Sequence, residues 1–214
     1  NQWNPQREAI LQTVQQTYQS LLHIYKEKNM RSAWLLTALD AYPQVDESQL
    51  RAWMTEYADI DVCAEVYLRL AERMQQQDEP AKRLALLREG IKRYPNYNRI
   101  NALKNEENEI LSPWLDFRME YVYPGEPVLL WAQHRNLQGF SMKLYRLSLS
   151  AESGDLAKVS PKTVKKYGSL VREERLDLPP TPDYRLRTDT LKMKPLEVGI
   201  YYAVAVPDGH RSEA

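Results

Sequence analysis

The chain reads as two domains of different class: an irregular array of α-helical hairpins over residues 1–112, then an antiparallel β-sandwich over residues 113–214. Three observations predict this. Up to about residue 111 apolar side chains recur three and four positions apart, and from Trp114 they recur every second position. Turn clusters such as Pro124-Gly125-Glu126-Pro127 and Asn136-Leu137-Gln138-Gly139 divide the second half into short runs, as loops between strands do. The length of 214 residues is enough for two separate cores.

Asn4-Pro5 begins the first helix, because Asn can accept from an orphan N–H and Pro has no N–H to lose at the first position. Its apolar stripe is Leu11, Val14, Tyr18, Leu21, Leu22 and Tyr25, with Gln and Lys opposite. A second helix fits Arg31 to Ala41. Asp46 with Gln49 three residues on forms a capping box, and Leu50, Trp53, Met54 and Tyr57 follow on one face. Cys63, Val66, Tyr67, Leu70 and Met74 mark a fourth helix. Asp78-Glu79-Pro80 opens a fifth, striped by Leu84, Leu87, Ile91 and Tyr94, and a shorter sixth runs from Tyr97 to Ile110. Tyr42-Pro43 and Tyr94-Pro95 each close an amphipathic helix, the proline stopping it and the aromatic free to pack back on its last turn.

In the second half Leu115, Phe117, Met119 and Tyr121 alternate with Asp116, Arg118 and Glu120, as in a half-buried strand. Val128 to Gln133 and Phe140 to Leu149 are the next strands. Ser150 to Leu178 is polar, with a short strand expected around Thr163 to Val171 inside a connection. Tyr184 to Thr188 and Gly199 to Val206 complete the set.

Composition removes several function classes. Lys+Arg and Asp+Glu both total 29, so the net charge is zero, where a phosphate-gripping surface shows a basic excess. Lys162, Lys165, Lys166 and Arg172 are offset at once by Glu173 and Glu174, which reads as a solvated loop. Seven glycines fall in no phosphate-cradling spacing. Cys63 is the single cysteine, so neither an intrachain disulfide nor a thiolate zinc site is expected. His23, His134 and His210 belong to three elements, none with a carboxylate or histidine partner at ligand spacing, so no metal or cofactor is expected. Glu106-Glu107-x-Glu109 reads as a solvated helix face. No apolar run approaches the ~20 residues that cross a bilayer, and no signal peptide is visible. Trp34, Trp53, Tyr57 and Tyr67 have two readings: the lining of a concave groove for a partner, or packing between helices.

Two resemblances follow from these residues. Pro80 to Asn96 resembles the second helix and closing turn of a tetratricopeptide-type repeat, without that family's ~34-residue period. The second half resembles a macroglobulin-type domain of the bacterial α2-macroglobulin family, a seven-stranded sandwich strung in series in large extracytoplasmic proteins. The likeness lies in Tyr123-Pro124-Gly125-Glu126-Pro127 before the apolar strand Val128 to Trp131, in Leu144-Tyr145-Arg146, and in Leu196-x-x-Gly199-x-Tyr201. In that corner Leu196 plugs the sandwich, Gly199 permits a positive φ or a close crossing, and Tyr201 points into the core. The family has Pro where this chain has Val198, and a generic immunoglobulin-like or fibronectin-like corner is the other reading.

What the resemblance implies is a non-enzymatic N-terminal fragment of a Bacteroidetes-type α2-macroglobulin-like protein, periplasmic or lipid-anchored at the cell envelope. Its partners would be neighbouring domains of that protein and, through the whole protein, the proteases it traps. The chain opens with Asn1 and closes where the family's sandwich has a further strand, which is the ground for expecting a fragment. The thioester motif of active members is absent, and Cys63 sits on a helix stripe as a buried thiol would. The alternative is a helical-repeat adaptor that binds a peptide or protein, with the sandwich as spacer. A third reading is a carbohydrate-binding module that uses exposed aromatics of the sandwich.

Overall fold

The computed structural model describes residues 5–76, 78–119, 123–148, 164 and 166–209. The chain divides into two compact units, Asn1–Ile110 and Leu111–Ala214.

The first unit is helical: α1 (Pro5–Glu27), α2 (Arg31–Ala41), α3 (Glu47–Glu56), a 3-10 turn at Asp61–Cys63, α4 (Ala64–Gln76), α5 (Pro80–Arg93) and α6 (Ile100–Leu111). Local chemistry explains several of the boundaries. At the end of α1, Asn29 takes a left-handed φ of 52°. The Met30 N–H donates to the Tyr25 carbonyl at 2.8 Å and the Asn29 N–H to that of Lys26 at 3.2 Å, the pair of bonds that closes a Schellman turn. Asp46 caps α3, its Oδ1 accepting from the Gln49 N–H at 2.7 Å and from the Ser48 hydroxyl at 2.7 Å. Pro80 sits at the start of α5.

Consecutive helices pack on one another, α1 on α2, α3 on α4 and α4 on α5. Leu35, Leu50, Val66, Leu70, Leu87 and Leu103 are buried in this core. A Cβ on Gly90 of α5 would lie 2.8 Å from Leu103 Cδ2 and 3.0 Å from Tyr67 Cβ, so a glycine lets α4 and α6 close on α5. The expected stripe of α1 is covered only in its second half. Leu22 is buried, whereas Leu11 and Val14 are exposed, as is Ile10. The two Tyr-Pro ends also differ. Tyr94 is buried, edge-on to Tyr67 at 5.9 Å, and its hydroxyl donates to the Ala58 carbonyl at 3.1 Å, while Tyr42 stays exposed and does not pack back.

The second unit has six strands: β1 (Trp114–Met119), β2 (Val128–Arg135), β3 (Gly139–Leu147), β4 (Gly168–Asp177), β5 (Arg187–Met193) and β6 (Ile200–Pro207). They form two three-stranded sheets, β1-β2-β5 and β4-β3-β6, with antiparallel pairing throughout. Val128, Leu130 and Ala132 of β2 and Phe140, Met142 and Leu144 of β3 meet in one apolar cluster with Leu137, Leu178, Met193 and Leu196. Alternation along β2 is regular, Val128, Leu130, Ala132 and His134 being buried, which is the period of two that the sequence shows.

Two strands lie where the sequence did not put them. The strand expected around Thr163 to Val171 is β4, which runs on to Asp177 through residues that had read as a connection. Its inward positions Arg172, Glu174 and Leu176 are only half-buried, because charged edge strands protect a sheet from further pairing at the expense of a legible apolar pattern. The strand expected at Tyr184 to Thr188 begins at Arg187 instead. Tyr184 has a φ of 60° and its N–H donates to the Thr181 carbonyl at 3.0 Å, so this stretch is a turn. Tyr121, Leu149, Lys162, Lys165 and His210 lie outside the described residues.

Candidate functional site

In the helical unit a surface cavity of about 370 Å³ is lined by Tyr25, Lys26, Asn29, Arg31, Trp34, Glu56 and Tyr57. The Schellman turn after α1 brings Lys26 and Asn29 beside the first turn of α2, which carries Arg31 and Trp34; α3 closes the far side with Glu56 and leads into Tyr57. Arg31 holds the wall in place. Its Nη1 donates to Asp59 Oδ2 at 2.5 Å, and its Nη2 donates to Asp59 Oδ1 at 2.8 Å and to the Glu56 carbonyl at 2.7 Å. The bidentate pairing raises the guanidinium pKa and lowers that of the Asp59 carboxyl. The same guanidinium lies 5.2 Å from the centre of the Tyr57 ring.

Trp34 stacks on Tyr57 at 5.8 Å and 10°, and meets Trp53 edge-on at 5.8 Å and 89°. Burial, with the adjacent Glu56, pushes the Tyr57 phenol up to about 12, so it stays a neutral wall of the cavity. Trp34 and Tyr57 therefore reach one cavity. Trp53 backs them from inside the core, and Tyr67 lies apart against Tyr94. A partner in this cavity meets the half-exposed Trp34 and Tyr25 with Lys26, Asn29 and Glu56 at the rim. That chemistry can grip an extended segment by apolar and hydrogen-bond contact.

The corner residues of the second unit are placed as follows. Leu196 is buried in the apolar cluster, and Tyr201 packs against that cluster while its hydroxyl donates to the Glu197 carbonyl at 3.1 Å. Gly199 does not take a positive φ. Its role is the close approach: a Cβ there would lie 3.1 Å from Arg146 Nε and 3.2 Å from the Tyr201 ring. Arg146 fastens the corner, donating to the Val198 carbonyl at 2.9 Å and to Glu197 Oε2 at 3.3 Å.

Three other sequence readings are corrected. His134 has a carboxylate partner. The ring is fully buried and its Nε2 lies 2.7 Å from Asp189 Oδ2, across the β2–β5 pair and 55 residues along the chain. His23 lies 3.3 Å from Glu27, one helical turn on. Glu106 and Glu107 are half-buried on one side of an ion-paired seam, while Glu109 stays exposed as a solvated face would be. Glu106 pairs with the buried Arg83, Glu109 lies 3.6 Å from the same arginine, and Glu107 accepts from Arg88 at 2.7 Å. Arg172 is not in a loop; it belongs to β4 and donates to the carbonyls of Lys194 and Pro195 at 2.7 and 2.8 Å. Apart from Glu27, which lies four residues from His23, these partners lie too far along the chain for spacing to reveal them.

Cys63 is buried, and burial raises its thiol pKa, which opposes the thiolate that nucleophilic chemistry needs. Among the described residues no group of three or more His, Cys, Asp or Glu could hold a metal ion, and no helix is long and apolar enough to cross a membrane. The chain matches no known protein family, curated protein or solved structure.

Proposed function

We propose that the chain is a non-catalytic N-terminal part of a larger extracytoplasmic protein similar to α2-macroglobulins. In this reading the second unit is a structural sandwich in a series of sandwiches, and the whole protein traps proteases at the cell envelope. The observation that carries it is the strand order β1-β2-β5 with β4-β3-β6, the two sheets sharing one apolar cluster. Among the described residues β6 is paired on one side only, with β3. Tyr201, Ala203 and Ala205 of β6 pack against the same cluster.

The test uses the whole protein that carries this chain, mixed with a broad-specificity endopeptidase. A trap works by enclosure, so digestion of a folded protein substrate should fall while a small chromogenic peptide is still cleaved. Undiminished digestion of the protein substrate would overturn the reading. The chain alone should hydrolyse no peptide, ester or glycoside, and turnover abolished by one point substitution would count against it.

A second reading is supported by the cavity of Trp34 and Tyr57: the helical unit binds an extended peptide segment, and the sandwich is a spacer. Here Trp34→Ala should abolish capture of the partner while the helical circular dichroism is unchanged. Capture that survives deletion of the helical unit would exclude it.

A further inference from the structure

Strand β6 leaves one side of the sheet β4-β3-β6 unpaired among the described residues. Its pairing with β3 fixes which groups face that side. The Asp208 N–H donates to the Gly139 carbonyl at 3.2 Å, and the register then runs without a shift to Leu147 opposite Ile200. Hydrogen-bonded pairs alternate with unbonded ones along an antiparallel ladder. Val206, Val204, Tyr202 and Ile200 therefore bond to β3, and the N–H and C=O groups of Tyr201, Ala203 and Ala205 point to the open side. Pro207 comes next in that series and has no N–H to offer.

This edge differs from the other three. An exposed edge is ordinarily guarded by charge, a bulge or proline. β1 carries Asp116 and Arg118, β5 carries Arg187, Asp189 and Lys192, and β4 carries Arg172, Glu173, Glu174 and Arg175 beside a shift of register. β6 has no charged residue, and its one proline stands at the last position. On its outward face Ile200 is exposed, and Tyr202, Val204 and Val206 are half-buried. The charges of neighbouring β3 are balanced within the chain, Lys143 by Glu173 at 3.6 Å and Arg146 by Glu197 at 3.3 Å.

The edge also complements itself. In an antiparallel pair of β6 strands, one register mates every open group: Ala203 lies opposite Ala203 of the second copy on a two-fold axis. Tyr201 then exchanges both bonds with Ala205 of the second copy, so the large side chain on the cluster side meets a small one. On the outward face Tyr202 lies opposite Val204 and Ile200 opposite Val206, aromatic and β-branched pairs that favour strand association. A slip of two residues sets Tyr201 against Pro207, which cannot donate, or Ala205 against Gly199, outside the strand.

We propose that two copies of this chain associate through β6 about that two-fold axis, joining their three-stranded sheets into one continuous sheet. The second copy supplies a strand with open donors and acceptors in the same frame and no charge to bury. The dimer goes beyond the reading of the chain as part of a protease trap and does not depend on it.

Sedimentation equilibrium of the whole chain tests this, with hydrogen exchange followed residue by residue. The mass should rise from one chain to two with concentration, and the amides of Tyr201, Ala203 and Ala205 should become protected in step with it. Val204→Lys puts a charge on the edge at a side chain that faces outward in its own chain, and should weaken dimerisation about tenfold or more. Val204→Thr, β-branched and uncharged, should keep most of it. The dilute monomers of both variants should melt as the native monomer does. A single-chain mass at every concentration up to about 1 mM would overturn the proposal. So would a dimer that Val204→Lys leaves as tight as before. Amides of Tyr201, Ala203 and Ala205 already protected in the dilute monomer would also overturn it, by showing the edge to be covered within one chain.

Discussion

Asp189 is the only described partner of a histidine that no water reaches. His134 is 0% exposed, and its Nδ1 has no hydrogen-bond partner among the described residues. Asp189→Ala would leave the other ring nitrogen unpaired in the same dry position, which costs about 1–3 kcal/mol for a buried polar group. Urea unfolding should show a lower midpoint at unchanged slope. Asp189→Asn, which can still accept, should recover part of the loss. Gly90 makes a second case in which space outweighs propensity. Alanine is the better helix former by about 1 kcal/mol, yet its methyl would press on Leu103 and Tyr67 at 2.8 and 3.0 Å. Overpacking of this kind costs roughly 1–3 kcal/mol, so Gly90→Ala should lower the stability of the helical unit in thermal melts.

Helices α3 and α5 depend on charged groups in different ways. The Gln49 N–H and the Ser48 hydroxyl hold the Asp46 carboxyl below its ordinary value of 3.8. A carboxyl depressed in the folded state stabilises fully above the unfolded value, and the benefit is lost as pH falls through the folded value. Asp46→Ala should therefore melt lower than the native chain at pH 7, and the gap should close below about pH 3.8 as the native carboxyl protonates. A gap that persists at pH 2 would show that the cap does not depend on charge. At the α5–α6 seam, Arg83 is 4% exposed and faces Glu106 and Glu109. Arg83→Ala would take this partner from the half-buried Glu106 and open a cavity. The expected loss is roughly 2–4 kcal/mol by chemical denaturation, near the low end for a broken buried pair because Glu106 keeps some access to water. Arg83→Met, which refills the volume, should lose less.

At the scale of the whole molecule, the two units differ in how they bury apolar surface. The helices stack neighbour on neighbour, while the strands close two sheets over one cluster. Local contacts of the first kind form without long-range pairing. Residues 1–112 expressed alone should give a helical far-ultraviolet spectrum and a cooperative melt. A spectrum of an unfolded chain would show that the helical unit needs the second unit to fold.

Much of the architecture was legible from the chain itself, for physical reasons seen at particular residues. The change of period at Trp114, the caps at Asp46 and Pro80, and the alternation through Val128, Leu130 and Ala132 are local properties, and local properties are written in adjacent residues. Charged edge strand β4 and the Tyr184 turn were not legible, since an edge strand needs only one weakly apolar face and a non-glycine left-handed residue leaves no pattern. The aromatic candidates divided on the same principle. Their types were visible, but only folding decided that Trp34 and Tyr57 share a cavity wall while Trp53 and Tyr67 serve the core. The sequence by itself determined a helical array followed by antiparallel strands. The tertiary structure alone decided that Asp189 meets His134, that Arg83 meets Glu106, and that Trp114 and Trp131 share one open face. Those meetings join separate elements of the chain, and no periodicity within a segment records which other segment it will face.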